Sequence, residues 1–274
     1  MENYIKNYDN LEKKIVYDFK LNNGGIGDNI NIFMYLLNLC IKYNIKIYYL
    51  RNDINTEKYL KLKYEKMYIT NQELTNRCEI KNINELSNLD KNIFYTITPF
   101  VFYSDSGFLY NDLIPIENVF YYSDEIKLNC KHLLPAHFDN ENENKQYISI
   151  HLRLGDSYMK QPPNYCCWND KREFNEEKMF NFIENIYSQN QIILFFCDNH
   201  EYKLKIKNKY PNLIITDSDI GHTSFHITTD KQVLDTISEL YLMSNSQSIV
   251  AVSKSGFSIT ASKFKDIPIY SLYL

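Results

Sequence analysis

Five of the chain's seven glycines fall in three short segments, each beside side chains able to meet an anion. Average usage would supply about 19 glycines in a chain of this length, so those retained mark places where the backbone turns sharply or approaches a ligand. Gly24-Gly25-Ile26-Gly27-Asp28-Asn29 lies between a strand-like and a helix-like stretch. Unsatisfied backbone N–H groups and the helix dipole there favour a phosphate or a sugar hydroxyl. Its spacing is neither Gly-x-Gly-x-x-Gly nor a phosphate loop ending in Lys-Ser/Thr, which disfavours dinucleotide and P-loop chemistry. A plain tight turn is the alternative.

The second segment, His151-Leu152-Arg153-Leu154-Gly155-Asp156, ends a strand. Alternation sends His151 and Arg153 to one face. Ligands of open α/β sheets collect at the carboxyl ends of strands, where a guanidinium suits a diphosphate through charge-assisted hydrogen bonds and cannot titrate away. An Arg153–Asp156 ion pair closing the strand is the simpler alternative. The third segment, Ser253-Lys254-Ser255-Gly256-Phe257-Ser258, again joins strand to helix, and its hydroxyls and amides could cap that helix or hold phosphate.

These junctions require strands that lead into them and helices that start from them. Residues 13–21, 45–50 and 92–100 are β-branched and aromatic and read as strands, with apolar residues at helical spacing over 30–41. Residues 55–90 read as helical and polar, and the stretch around Pro115 and Pro135 as irregular. The polar run 139–146 is the candidate linker, giving domains 1–140 and 141–274. Beyond it, strands are predicted at 147–154, 191–198, 212–218, 248–253 and 267–274. Helices are predicted at 173–187, 200–209 and 230–244, with a short one after Phe257. Alternating βα units with apolar strands imply parallel sheets covered on both faces, an α/β chain whose two halves meet at a cleft.

Composition excludes several classes. Thirty Lys and Arg against 34 Asp and Glu give a net charge of −4, with no basic excess to neutralise nucleic acid. The 24 Tyr and 16 Phe supply large apolar bodies for burial. Six cysteines without Cys-x-x-Cys pairing point to reduced thiols rather than a disulfide framework or zinc. The longest apolar stretch, 32–41, is half the roughly 20 residues a membrane span needs. The charged N-terminus lacks a signal-peptide core, so a cytoplasmic protein is expected.

Together the segments resemble the fucosyltransferase superfamily of α-1,2-, α-1,6- and protein O-fucosyltransferases. HLRLGD is similar to its His-x-Arg-x-Gly-Asp signature, GGIGDN to its N-terminal glycine loop, and residues 239–262 to its C-terminal acidic-x-x-Leu-Met-Ser and Ser-x-Phe-Ser stretch, in the same order. The resemblance implies a GT-B-like fold of two Rossmann-like domains with parallel sheets facing a central cleft. The C-terminal domain would hold GDP-fucose and the N-terminal one a glycan acceptor, with inverting, metal-independent transfer and no cofactor beyond the donor. It implies that Arg153 holds the β-phosphate and that His151 and Glu239 lie near the guanine. Gly25, Gly27, Ser255, Gly256 and Phe257 would line the diphosphate and sugar. Asp28 and Asp156 have the right chemistry to take the acceptor hydroxyl's proton. Leu154 stands where many α-1,2 members carry a second Arg, which leaves the linkage and the donor sugar open.

Other features have readings of their own. Asp217-Ser218-Asp219 resembles the metal-binding Asp-x-Asp of GT-A glycosyltransferases, against turn formation. That would make the chain a metal-dependent enzyme using another nucleotide sugar. His222 and His226 suit a turn or substrate loop better than zinc. Trp168 beside Cys166 and Cys167 reads as an ordered loop able to stack on a sugar. A nucleotide- or glycan-binding protein that has lost catalysis is the alternative from a different class.

Overall fold

The computed structural model describes residues 1–20, 24–52, 54–103, 114–135, 146–159, 170–187, 189, 191–223, 225 and 227–273. Two compact units emerge, Met1–Tyr121 and Tyr122–Leu274.

The first unit opens with helix α1 (Glu2–Asn7), followed by strand β1 (Lys14–Tyr17), helix α2 (Ile26–Tyr43) and strand β2 (Lys46–Leu50). There follow α3 (Thr56–Tyr59), β3 (Leu60–Leu62), β4 (Tyr68–Ile69), β5 (Arg77–Glu79), β6 (Phe94–Ile97), α4 (Phe100–Tyr103) and β7 (Phe120–Tyr122). The main sheet runs β4-β2-β1-β6-β5, with every pair parallel. Strand β7 leaves it to pair with β3. Aromatic residues fill the core: Phe33 meets Tyr49 and Phe120 edge-on at ring-centroid distances of 5.4 and 5.5 Å. Buried phenols are satisfied, as where Tyr4 donates to the Ile45 carbonyl at 2.7 Å.

Residues 55–90 correct the sequence expectation of a helical stretch. Thr70 with Glu73, and Asn82 with Glu85, form capping boxes that each open only a short 3₁₀ turn. Such side-chain bonds compete with helix propagation, a one-turn helix is poorly nucleated, and Tyr68–Ile69 and Arg77–Glu79 form strands β4 and β5 instead.

The second unit contains α5 (Asp124–Leu133), β8 (Tyr147–Leu152), α6 (Glu176–Tyr187), β9 (Ile192–Cys197), α7 (His200–Lys209) and β10 (Ile214–Ile215). It ends with α8 (Asp230–Ser244), β11 (Ser248–Ala251), α9 (Gly256–Lys265) and β12 (Ile269–Ser271). Its sheet runs β10-β9-β8-β11-β12, all parallel. Apolar strands β8 and β9 are buried on both faces, and Met179, Ile183 and Ile186 of α6 pack into the same core. Thr229 and Gln232 form the capping box that starts α8, and Asn199 caps α7.

The division falls at Tyr121/Tyr122 rather than at residue 140. Helix α5 packs against α8, where the Asn129 amide donates to Asp235 Oδ1 at 2.9 Å and Ser238 Oγ at 3.0 Å, so it belongs with the second unit. Of the predicted linker, 139–145 lies outside the described residues.

Candidate active site

In the second unit the chain builds β8, β9 and β10 outward in one direction, then returns to add β11 and β12 on the other side of β8. Winding reverses between β8 and β11, and a doubly wound sheet opens a crevice at the carboxyl ends of such neighbours. Two of the three glycine segments lie there. Arg153 follows β8, and Ser253 follows β11. They are joined directly: the Arg153 N–H donates to Ser253 Oγ at 2.9 Å, and that hydroxyl donates to the Arg153 carbonyl at 2.7 Å.

Arg153 is neither sealed in the core nor alone. Its side chain is 14% exposed; Nη1 donates to Asp198 Oδ2 at 2.7 Å and Nη2 to Asp156. Asp198, at the carboxyl end of β9, also accepts from the Leu154 and Gly155 N–H groups at 2.8 and 2.9 Å. Asp170 lies 3.9 Å from Nη2 and pairs with Arg172 at 2.8 Å. The strand-closing Arg153–Asp156 ion pair given as the simpler alternative is therefore present, and it fixes the plane of a guanidinium that still reaches solvent. Gly155 makes the turn possible: its φ is 116°, and a Cβ there would sit 2.1 Å from the Asp170 carbonyl oxygen.

His151 lies inside β8, in register with Phe196 and Ala251, and its Nδ1 is 2.6 Å from Ser258 Oγ of α9. Burial holds it neutral, pushing its pKa down to about 3, with the charges of Arg153 and Lys203 adding to the effect. Its ring lies 5.6 Å from that of Phe257. Ser255 caps α9 by accepting from the Phe257 N–H at 3.3 Å, and Gly256 is the helix's first residue. Helix α9 thus starts beside Arg153, its positive end at the same strand ends.

Glu239 is placed in a separate buried knot. Its Oε1 accepts from Lys203 Nζ at 2.7 Å, from Ser218 Oγ at 2.5 Å and from Thr216 Oγ1. Lys203 completes its three donors with Thr216 at 3.0 Å and Ser218 at 2.7 Å. Asp217 and Asp219 are exposed, and Asp219 Oδ2 accepts from Gln232 at 3.3 Å. Among the described residues no group of three or more His, Cys, Asp and Glu has metal-holding geometry.

Sequence reasoning missed Asp198, Asp170 and Lys203. Asp198 had one available signal, a carboxylate directly following an apolar strand. His222 also joins the cluster: its Nε2 is 3.9 Å from Asp156 Oδ2 and its ring stacks on Phe225 at 4.4 Å. Burial lowers its pKa most; Arg153 adds to this, against Asp156 and Asp170. His226, Trp168, Cys166 and Cys167 lie outside the described residues.

The first unit repeats the reversal at β1, which sits between β2 and β6. The first glycine segment follows β1. Gly24 has φ 104°, Gly25 is the N-cap of α2, and Gly27 and the partly buried Asp28 lie in the first turn. Asn29 turns inward and donates to the Tyr49 hydroxyl at 2.9 Å. At this reversal Asp18, directly after β1, pairs with Lys20 at 2.8 Å and accepts from the Asn52 amide at 3.0 Å.

Comparison of the whole architecture with solved structures identifies its type. A variant of Arabidopsis thaliana FUT1 in complex with GDP superposes with a TM-score of 0.59 at 12% identity, over 100% of this chain and 75% of that one. The fucosyltransferase NodZ from Bradyrhizobium gives 0.54 at 9% identity, over 91% of both chains. POFUT1 in complex with GDP gives 0.54 at 12%, over 96% of this chain and 99% of that one. The fold is fucosyltransferase-like. At these identities the likeness is one of fold, the expected GT-B-like α/β arrangement of parallel-sheet units. No protein-family model matches the chain, and no curated protein matches it in sequence. No helix among the described residues is long and apolar enough to cross a membrane.

Proposed function

We propose that the chain is an inverting, metal-independent glycosyltransferase that moves fucose from GDP-fucose to a glycan hydroxyl, acting in the cytoplasm without nucleic-acid partners. The observation that carries this reading is the fixed, partly exposed Arg153 guanidinium at the β8/β11 reversal, in a residue whose backbone bonds to Ser253 just ahead of α9. Breaking a sugar–phosphate bond leaves negative charge on the departing diphosphate, and a preorganised cation with a helix N-terminus stabilises charge where it develops. Gly256, Phe257 and Ser255 would line that diphosphate, with Gly25 and Gly27 approaching the sugar. The solved fucosyltransferases bound to GDP share the fold and support a nucleotide donor.

Asp156, with one oxygen engaged by Arg153, would orient the cation, and Asp28, in the first turn of α2, and Asp156 are the candidate bases for the acceptor hydroxyl. Neutral, buried His151 and internally bonded Glu239 act as supports of the nucleotide site. The test is incubation of purified protein with GDP-fucose in excess EDTA, following GDP release. Turnover of GDP-fucose above that of UDP-sugars is expected. GDP binding without turnover across a broad acceptor panel would instead make the chain a binding protein, and loss of activity in EDTA would favour a metal at Asp217 and Asp219.

A further inference from the structure

Strand β12 is the outer strand of the second unit's sheet, hydrogen-bonded to β11 alone. The Ile249 N–H donates to the Pro268 carbonyl and the Leu272 N–H to the Ala251 carbonyl, both at 2.9 Å. Even-numbered residues therefore turn their backbone groups towards β11, while Ile269 and Ser271 turn theirs outward, where no partner among the described residues meets them. Pro268 belongs to the inward set, so its missing N–H does not blunt this edge.

Elsewhere the chain guards such edges, as folded proteins generally must. Strand β5 carries the charges of Arg77 and Glu79. Strand β4 covers only Tyr49 and Leu50 of β2, and the Tyr4 hydroxyl closes the gap, donating to the Ile45 carbonyl at 2.7 Å and accepting from the Ile47 N–H at 3.1 Å. Strand β12 has neither device, and no residue from 267 to 274 is charged. Its side chains are also uncovered. Leu272 packs against the unit's core, whereas Tyr270, two residues earlier on the same face, is 57% exposed, and Ile269 on the opposite face is 36% exposed. The apolar surface of the core thus runs on past the last strand.

We infer that β12 pairs antiparallel with β12 of a second copy of this chain, across a two-fold axis at Tyr270. Self-complementarity selects this occupant. An axis there sets Ile269 opposite Ser271 of the copy, and Ser271 opposite its Ile269, as hydrogen-bonded pairs that use every outward group of both residues. Tyr270 meets its own copy in the close, non-hydrogen-bonded position that suits aromatic pairs. Asp266, the nearest charge in sequence, falls opposite Leu274 of the copy and meets no like charge.

The test is sedimentation velocity of the full chain over about 1 µM to 1 mM, where a reversible dimer is expected with a dissociation constant of about 10–300 µM, as suits an interface below standard size. Tyr270→Lys and Tyr270→Glu alter an exposed position, so each should keep the parent's Tm while raising that constant about tenfold or more. Mixing the two variants should restore association, because opposite charges then face each other across the axis. Hydrogen exchange at the Ile269 and Ser271 amides should slow with concentration in the parent and in neither variant alone. A parent that stays monomeric at the highest concentration would overturn the inference. So would a dimer that both variants leave intact, or a mixture that associates no better than its components. Donor binding plays no part, so failure of the fucosyl-transfer reading leaves this pairing standing.

Discussion

Replacing Arg153 by Ala should cost both stability and ligand affinity, and the structure sets the size of each. The guanidinium bridges Asp198 and Asp156, whose side chains are 3% and 10% exposed against its own 14%. Removing one partner of a buried pair typically costs about 3–5 kcal/mol, because the other charge stays behind. Asp198 keeps its two backbone donors, which places the loss near the lower end, about 3 kcal/mol. For a unit spanning Tyr122–Leu274, roughly 2–4 °C per kcal/mol makes that a fall in Tm of about 6–12 °C. Loss of charge-assisted hydrogen bonds to a diphosphate should weaken GDP binding roughly 10- to 100-fold, and transfer should drop by about a hundredfold. Thermal unfolding and GDP calorimetry on the same preparations separate the two effects. Adding Asp156→Asn to Arg153→Ala removes a stranded carboxylate and should recover part of the Tm, but none of the GDP affinity. A single variant with unchanged Tm and unchanged GDP affinity would refute both the buried pairing and the role in binding.

Gly155→Ala should be strongly destabilising, since a left-handed φ costs about 1–3 kcal/mol in itself and the new Cβ meets the Asp170 carbonyl at 2.1 Å; an unaltered melting curve would contradict it. His151 has a folded-state pKa of about 3, below its usual 6.5. The unfolded chain therefore takes up a proton that the folded one excludes: stability is fully present above about pH 6.5 and falls as the pH drops towards 3, by up to about 1.4 kcal/mol per unit. His151→Gln should flatten the Tm–pH slope in that window relative to the parent, and identical slopes would remove His151 as its source. Lys203→Met strands Glu239 in a knot where both side chains are nearly inaccessible, for about 3–5 kcal/mol; Glu239→Gln in that background should recover a good part, read by chemical denaturation.

What was legible depended on how local each feature is. Scarce glycine marked the three junctions because a positive φ or a helix start is decided within a few residues, and Gly24, Gly25, Gly155 and Gly256 all serve such turns. Helices α7 and α8 lie at their expected positions because capping residues and apolar spacing agree there. Arg153 and its pairing with Asp156 were legible at the end of an apolar strand, but its partners from other strands were not. Asp198 reaches it only because β9 is hydrogen-bonded to β8, and Ser253 only because β11 lies on the other side, facts of strand order that no short window contains. Lys203 read in sequence as one charge on a Lys-rich helix, and Glu239 as a residue near the guanine by resemblance alone. Burial turned them into a matched pair, a tertiary outcome that propensity does not encode. Residues 55–90 misled for the opposite reason, since polar composition suited a helix while local capping bonds broke it into turns.

The two sheets show why fold alone would have been a poor guide to chemistry. Each reverses its winding beside its first strand and starts a helix from a glycine-bearing turn, so topology offers two equivalent crevices. In the first unit an amide and tyrosine rings, with Asn29 donating to Tyr49, stand beside a single Asp18–Lys20 pair. In the second it is backed by three aspartates, two arginines and a neutral imidazole. An anionic leaving group gains most where a cation is already held rigid by its neighbours, because no reorganisation is needed as charge develops. The carboxylates around Arg153 are the means of that rigidity. They weaken its pull on a resting diphosphate while keeping it aimed, and interactions that strengthen only as the bond breaks are the ones that accelerate it. Loosening Asp156 should therefore cost turnover more than GDP affinity, and the opposite order in Asp156→Asn would show the aspartate to be a competitor rather than a guide.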